Sequence, residues 1–331
     1  MLEDELAAMR FSAPWKFRLT ILVLFLMIAG EGCRSYQTRP TSNSRFAVAL
    51  LTPGPVSDGG WNAAAYQGLD LIKTKLSAET ALVQTTSPAD FEDSLRDFAS
   101  RGFNLVFAHG FEYTDAALKV AQAFPNTFFV VSSGSAWSRN VASVTFDFDQ
   151  ATYVEGILAA GVSKTGIAGA IGGVELPTIK LTFDGFRRGF LSLRPKGRIL
   201  ISYTGNFNDV GAAKEATLAQ ISEGADVFIH NADAAGLGVF LAAEQAHALA
   251  FGAFNNQNAV APDVVLASAV TSTPLAFLKI AREVKDRHFR AGMLQFGMKD
   301  GMVRVVLNPK LESRIPPAVL ERAQAAEQQF Q

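Results

Sequence analysis

The residues best suited to chemistry begin in one short stretch, Pro53-Gly54-Pro55-Val56-Ser57-Asp58-Gly59-Gly60-Trp61-Asn62, set between two apolar runs. Trp61 can stack on a flat ligand, Asp58 and Asn62 can hydrogen-bond it, and Gly59-Gly60 allow close backbone approach. The same residues also suit a plain Asp-Gly-Gly turn with Trp61 filling a core. Similar groups follow later apolar runs: His109, Phe111 and Glu112; Asn206, Phe207 and Asp209; Asn231 and Asp233; and Phe254 to Gln257, including Asn256. Such a set fits a flat, neutral, hydrogen-bonding ligand held between aromatic faces. Blander roles compete: Asp209 also reads as a helix cap, and His109 and Phe111 as packing residues. Catalysis is a second possibility, because Asp58, Glu112 and Asp233 could supply the carboxylates of glycoside cleavage. Against it, no nucleophile elbow is present, and His109, His230, His247 and His288 fit no metal-ligand pattern. Neither an enzyme, a metal site nor a cofactor is expected.

Positioning these groups requires a frame, and the chain supplies one. Phe46–Leu51, Asn104–Ala108, Thr127–Val131 and Val141–Phe146 read as buried strands, with a further strand at Val83–Thr85. Helical patterns lie between them, including Ala63 to Ile72 and a start capped by Ser87-Pro88. Strands alternating with helices argue for a parallel α/β sheet with right-handed crossovers. The pattern then restarts: a helix at Tyr153–Ala160 precedes strands at Gly166–Gly173, Arg198–Tyr203, Asp226–His230, Leu249–Ala253 and Val264–Ser268. Two such units predict two lobes with a ligand cleft between them, reached by the loops at the carboxyl ends of the strands. A strand pair is expected around Leu294 to Val306, and an amphipathic helix from Pro317.

At 331 residues, 49% hydrophobic and 18% charged, the chain can bury substantial cores. Thirty Lys+Arg against 31 Asp+Glu, with no dense basic block, argue against a nucleic-acid partner. The amino terminus differs from the rest. Basic residues precede the apolar run Leu19–Ala29, which is too short to span a bilayer but suits a signal peptide. Cys33, the sole cysteine, follows directly in a way that resembles a bacterial lipoprotein signal, so it is the expected lipidation site. Gly30 and Glu31 depart from that pattern, and the acidic opening Met1–Glu5 makes Met9 the better start for a signal. Residues 34–45 read as a polar tether.

The ordered series Asp58-Gly59-Gly60-Trp61-Asn62, Gly110-Phe111, Gln150 to Gly156, Gly172-Gly173, Gly205-Asn206-Phe207-Asn208-Asp209 and Gly236-Leu237-Gly238-Val239 carries a resemblance. From about Phe46 to Pro309 the chain resembles the basic membrane protein (BMP) family of ABC transporter solute-binding lipoproteins. Better-understood members bind purine nucleosides. The resemblance implies a type I periplasmic-binding fold, a ligand sandwiched by Trp61 and Phe207 with Asp58 and Asn62 beside it, and a membrane permease as partner. It also implies an extracytoplasmic, membrane-anchored monomer that closes its lobes on the ligand. Three departures stand out. Phe254 occupies the place of a ribose-binding aspartate, Thr271 that of a lysine, and Asp233 brings a carboxylate into a loop usually rich in glycine. These shift the expected ligand toward a nucleobase, a modified nucleoside or another flat polar compound.

The expected organisation is therefore a leader over 1–33 and a tether over 34–45. A first lobe covers 46–148 plus about 270–292, a second 149–269 plus about 293–315, and a terminal helix 316–331. The expected ligand set is Asp58, Trp61, Asn62, Phe111, Glu112, Phe207, Asp233, Phe254, Asn256 and Thr271. A sensor that presents its ligand to a membrane receptor would use the same fold.

Overall fold

The computed structural model describes residues 45–85 and 87–331, so the expectations for the leader, Cys33 and the tether lie outside the described residues. Strands β1 (Ala47–Thr52), β2 (Glu79–Gln84), β3 (Leu105–Ala108), β4 (Phe128–Ser132) and β5 (Val141–Phe146) alternate with helices α1 (Trp61–Leu76), α2 (Pro88–Ser100) and α3 (Thr114–Ala121). Helix α4 (Phe148–Val162) opens a second series: β6 (Ile167–Gly172), α5 (Pro177–Leu193), β7 (Arg198–Tyr203), α6 (Val210–Ser222), β8 (Val227–Asn231), α7 (Gly236–Gln245), β9 (Leu249–Phe254) and β10 (Val265–Thr271). Helix α8 (Thr273–Lys285), β11 (Met293–Phe296), β12 (Val303–Leu307) and α9 (Pro317–Phe330) complete the chain.

The strands form two six-stranded sheets, in the orders β2-β1-β3-β4-β5-β11 and β7-β6-β8-β9-β10-β12. The first is wholly parallel, and in the second only β12 runs antiparallel, against β10. Strands β1, β3 and β10 are buried throughout because helices cover both sheet faces. This is the type I periplasmic-binding architecture.

Strands β11 and β12, expected as a pair, lie in different sheets: β11 extends the first and β12 the second. The strand at 293–296 therefore joins the first lobe, not the second where it was expected. Their short apolar pattern identified strands but carried no information about partners. The chain thus crosses between lobes after β5, after β10 and after β11. Helix α8 packs Phe277, Ile280 and Ala281 into the first lobe's core. Helix α9 buries Ala323 and Ala326 in the second.

Helices α4 and α5 approach closely because Gly156 and Gly189 lack side chains; a Cβ on Gly156 would overlap the Phe186 carbonyl, and one on Gly189 the Tyr153 carbonyl. That contact holds the first turns of α5 at the cleft.

Candidate functional site

A cavity of about 380 Å³ lies between the carboxyl ends of the two sheets. The first lobe contributes Trp61, Asn62, Phe111, Glu112 and Ser133; the second contributes Thr178, Ile179, Thr182, Phe207, Asn231, Asp233, Phe254 and Thr271. The crossing after β5 adds Phe146, Asp147, Phe148 and Asp149. Asp149 is paired with Arg188 at 2.8 Å, and Asp147 accepts from the Gln295 amide. Among the described residues no Lys, Arg or His lines this cavity, while four carboxylates do.

The loop after β1 is organised by Asp58. Its carboxylate accepts from the backbone N–H of Gly60 (3.0 Å), Asn62 (2.8 Å) and Ala63 (2.9 Å), and from the Asn62 side chain (2.9 Å). These are the free donors at the start of α1, where a negative charge is favoured. Asp58 does not line the cavity; it fixes the residues that do.

Trp61 stacks on His109, ring centroids 4.1 Å apart and planes 23° from parallel, and meets the edge of Phe254 at 5.1 Å. His109 is fully buried, with Nε2 3.0 Å from the Trp61 carbonyl oxygen and Nδ1 2.8 Å from Ser132 Oγ. A carbonyl only accepts, so Nε2 carries the proton and Nδ1 accepts from the serine hydroxyl. Burial lowers the imidazole pKa to about 3, so the ring is neutral.

Two carboxyls face the same space. Burial raises the pKa of Glu112 above the ordinary carboxylate range. Asp233, partly open to the cavity yet deep in the protein, is raised well above its usual value, first by burial and then by the charges of Asp58 and Glu112. The Asp233 backbone is left-handed, at φ 47°. The three carboxylates weighed as a catalytic set are therefore electrostatic neighbours, but Asp58 is spent on capping. Among the described residues no cluster of acidic, His or Cys side chains could hold a metal ion.

In the second lobe, the Asn206 side chain accepts from the N–H groups of Asn208 (2.9 Å) and Asp209 (2.8 Å), and Asp209 caps α6 through Ala212 N–H (2.9 Å). These bonds hold the loop that carries Phe207. Phe254 has a left-handed backbone, φ 65°, and its ring lies on Phe148 at 4.6 Å and 16°. The Thr271 hydroxyl is 3.3 Å from the Phe254 carbonyl and 2.9 Å from Thr273 Oγ1. Gln257 Oε1 accepts from Ala253 N–H and meets His230 Nε2 at 3.0 Å, while its Nε2 reaches the Gly59 carbonyl at 3.5 Å, linking the lobes.

Of the expected ligand set, the structure brings together around the cavity Trp61, Asn62, Phe111, Glu112, Phe207, Asp233, Phe254 and Thr271. Asn256 is exposed away from it, its side chain accepting from Asn258 N–H. Sequence reasoning missed Phe148, Ile179 and Thr182. Phe148 opens α4, and Ile179 and Thr182 lie in the first turns of α5, so a search confined to the loops at strand ends does not reach them.

Residues 46–327 match the Bmp family, described as "ABC transporter substrate-binding protein PnrA-like". The chain is 29% identical over 270 residues to "Purine-binding protein BAB2_0673" of Brucella abortus, covering 80% of this chain and 76% of that protein. It is 26% identical over 304 residues to "ABC transporter nucleoside-binding protein BmpA" of Lactococcus lactis, covering 84% and 87%. A solute-binding protein of an Aeropyrum pernix ABC transporter system superposes with a TM-score of 0.79 at 20% identity, covering 86% of this chain and 90% of that one.

Proposed function

The chain belongs to the Bmp family of PnrA-like ABC transporter substrate-binding proteins, and on that premise we propose that it captures a purine nucleobase, a nucleoside or a similar flat heterocycle between Trp61 and Phe207. The observation that carries this reading is the cavity itself, with an indole in one lobe's wall, a phenyl ring in the other's, and no cationic side chain among the described residues. Aromatic walls favour a planar ligand, and the lack of Lys and Arg disfavours phosphates and other anions. At about 380 Å³ the space lies toward the lower end of the roughly 300–1,000 Å³ common for small-molecule sites. The names of the Brucella and Lactococcus relatives support the same class of ligand.

Because Trp61 and Phe207 stand on different lobes, a ligand touching both favours the conformation that brings the lobes together. The loaded form then docks on a membrane permease, and the permease's ATPase supplies the energy. Membership in a family of solute-binding proteins supports reading the carboxyls as recognition groups. The site works outside the cytoplasm, held to the membrane by a lipid on Cys33.

Mass spectrometry of small molecules co-purifying with the protein, followed by thermal-shift titration with nucleobases and nucleosides, tests the reading. A ligand at 100 times its Kd stabilises the fold by about 2.7 kcal/mol. A panel of purines and pyrimidines that leaves the melting temperature unmoved would overturn it.

A further inference from the structure

Resting on the heterocycle reading above, we propose that the cleft selects cationic heterocycles, holding the positive edge of a flat ring between Glu112 of the first lobe and Asp233 of the second. Both residues line the cavity, and their carboxyls are electrostatic neighbours. Glu112 folds back over Gly110, which also lines the cavity; a Cβ on that glycine would overlap the carboxyl. Glu112 meets only its own backbone N–H, and Asp233 has no hydrogen-bond or ion-pair partner among the described residues. Neither carboxyl is sealed in the interior. The cavity's other two carboxylates are engaged, Asp149 by Arg188 and Asp147 by Gln295. One acidic group in each lobe is thus left for the ligand.

A third acceptor makes the same demand independently. Asn231 lines the cavity and is only 5% exposed. The Thr182 hydroxyl donates to the Thr178 carbonyl at 3.1 Å, so its oxygen accepts from Asn231 Nδ2 at 2.9 Å. That fixes the amide and leaves its Oδ1 unsealed, with no hydrogen-bond partner among the described residues. Two carboxyls and an amide oxygen, with no cationic side chain among the described lining residues, call for donors and positive charge. The walls agree, because the faces of Trp61 and Phe207 attract a cation as well as a flat ring. Without a cation the carboxyls oppose one another: burial, then the charges of Asp58 and Glu112, raise the Asp233 pKa well above its usual value. A positive ring edge between Glu112 and Asp233 relieves that repulsion and draws the two lobes to one ligand.

The experiment is calorimetric titration of the full chain with two pairs of isomers, 1-methyladenosine with N6-methyladenosine and 3-methylcytidine with N4-methylcytidine. In each pair the first member carries a positive charge on its ring at neutral pH, and the second is uncharged. The expected result is at least about tenfold tighter binding of the cationic member in whichever pair binds. Glu112→Gln and Asp233→Asn keep the shape and remove the charge, and asparagine tolerates the left-handed backbone at 233. In each variant the preference is expected to shrink to within about threefold, with the uncharged isomer's affinity little changed. A preference that survives both substitutions overturns the assignment to these carboxyls. Equal affinities within a pair, or tighter binding of the uncharged member, overturn the charge selection and leave the heterocycle reading intact. Adenine and adenosine are the uncharged controls: if they bind and all four isomers fail, the selection alone falls. If none of the six binds, the reading and the selection fall together. The comparison in the unsubstituted chain stands even if a variant folds poorly.

Discussion

The Trp61 indole lies on the His109 imidazole with centroids 4.1 Å apart, and the histidine's Nε2 bonds the backbone carbonyl of that same tryptophan. One indole face is thus spent on the protein, and the other is left for the cavity. Ser132 and the Trp61 carbonyl set the imidazole's tautomer, so His109 holds both the ring and the first turn of α1. A base inserted against Trp61 would continue a stack that the protein has begun. Trp61→Ala and Phe207→Ala should each weaken ligand binding by roughly 1–3 kcal/mol. Unchanged calorimetric affinity in both variants would sink the sandwich.

His109 also makes stability depend on pH. The unfolded chain's histidine takes a proton as pH falls through about 6.5, while the buried ring resists protonation down to about 3. Between those values the unfolded state binds more protons, so stability falls as pH falls. From pH 7 to pH 5 the native chain should lose about 2 kcal/mol more stability than His109→Asn. The raised carboxyls of Glu112 and Asp233 act in the opposite direction, losing stability as pH rises, but they are common to both proteins. Urea midpoints at the two pH values measure the difference, and parallel shifts would show that His109 carries no such linkage.

Gly173 faces Phe207 so closely that a Cβ there would overlap the ring. The glycine therefore sets where the phenyl can stand, although it does not line the cavity. Gly173→Ala should push Phe207 from its place and weaken ligand binding about tenfold, equivalent to about 1.4 kcal/mol. Titration of this variant beside Phe207→Ala provides the check. Full affinity in the glycine variant would mean that the ring's position is unimportant.

The two lobes were legible because parallel strands buried on both faces read as unbroken apolar runs, and eight of the ten expected residues line the cavity because they stand at or just beyond strand ends. Asp58 read equally as a turn residue or a ligand contact. Only the four donors around it decide that its carboxylate faces α1 and not the cavity. His109, read as a packing residue, does pack, but its partner is the very aromatic that lines the site. Strand β11 shows a different limit: a four-residue strand states its own conformation and nothing about which sheet will take it.

Phe254 and Thr271 offer the strongest test of ligand size. Phe254 holds a left-handed backbone that costs a bulky residue about 1–3 kcal/mol, and aspartate tolerates it better. Replacing the ring forfeits its stack on Phe148, its edge contact with Trp61 and the burial of a phenyl that is 9% exposed, so Phe254→Asp should lower stability by about 3–5 kcal/mol, less the relief of backbone strain. A new carboxylate near Asp233 and Glu112 would still be repelled, which is why Thr271→Lys should accompany it: the Thr271 hydroxyl lies 3.3 Å from the Phe254 carbonyl. The double variant regains a carboxylate and an ammonium able to meet ribose hydroxyls. It should therefore shift the ratio of adenosine to adenine affinity at least tenfold toward the nucleoside. Calorimetric titration of both compounds gives that ratio directly, and a ratio equal to the parent's would show that these two positions do not set the choice between base and nucleoside.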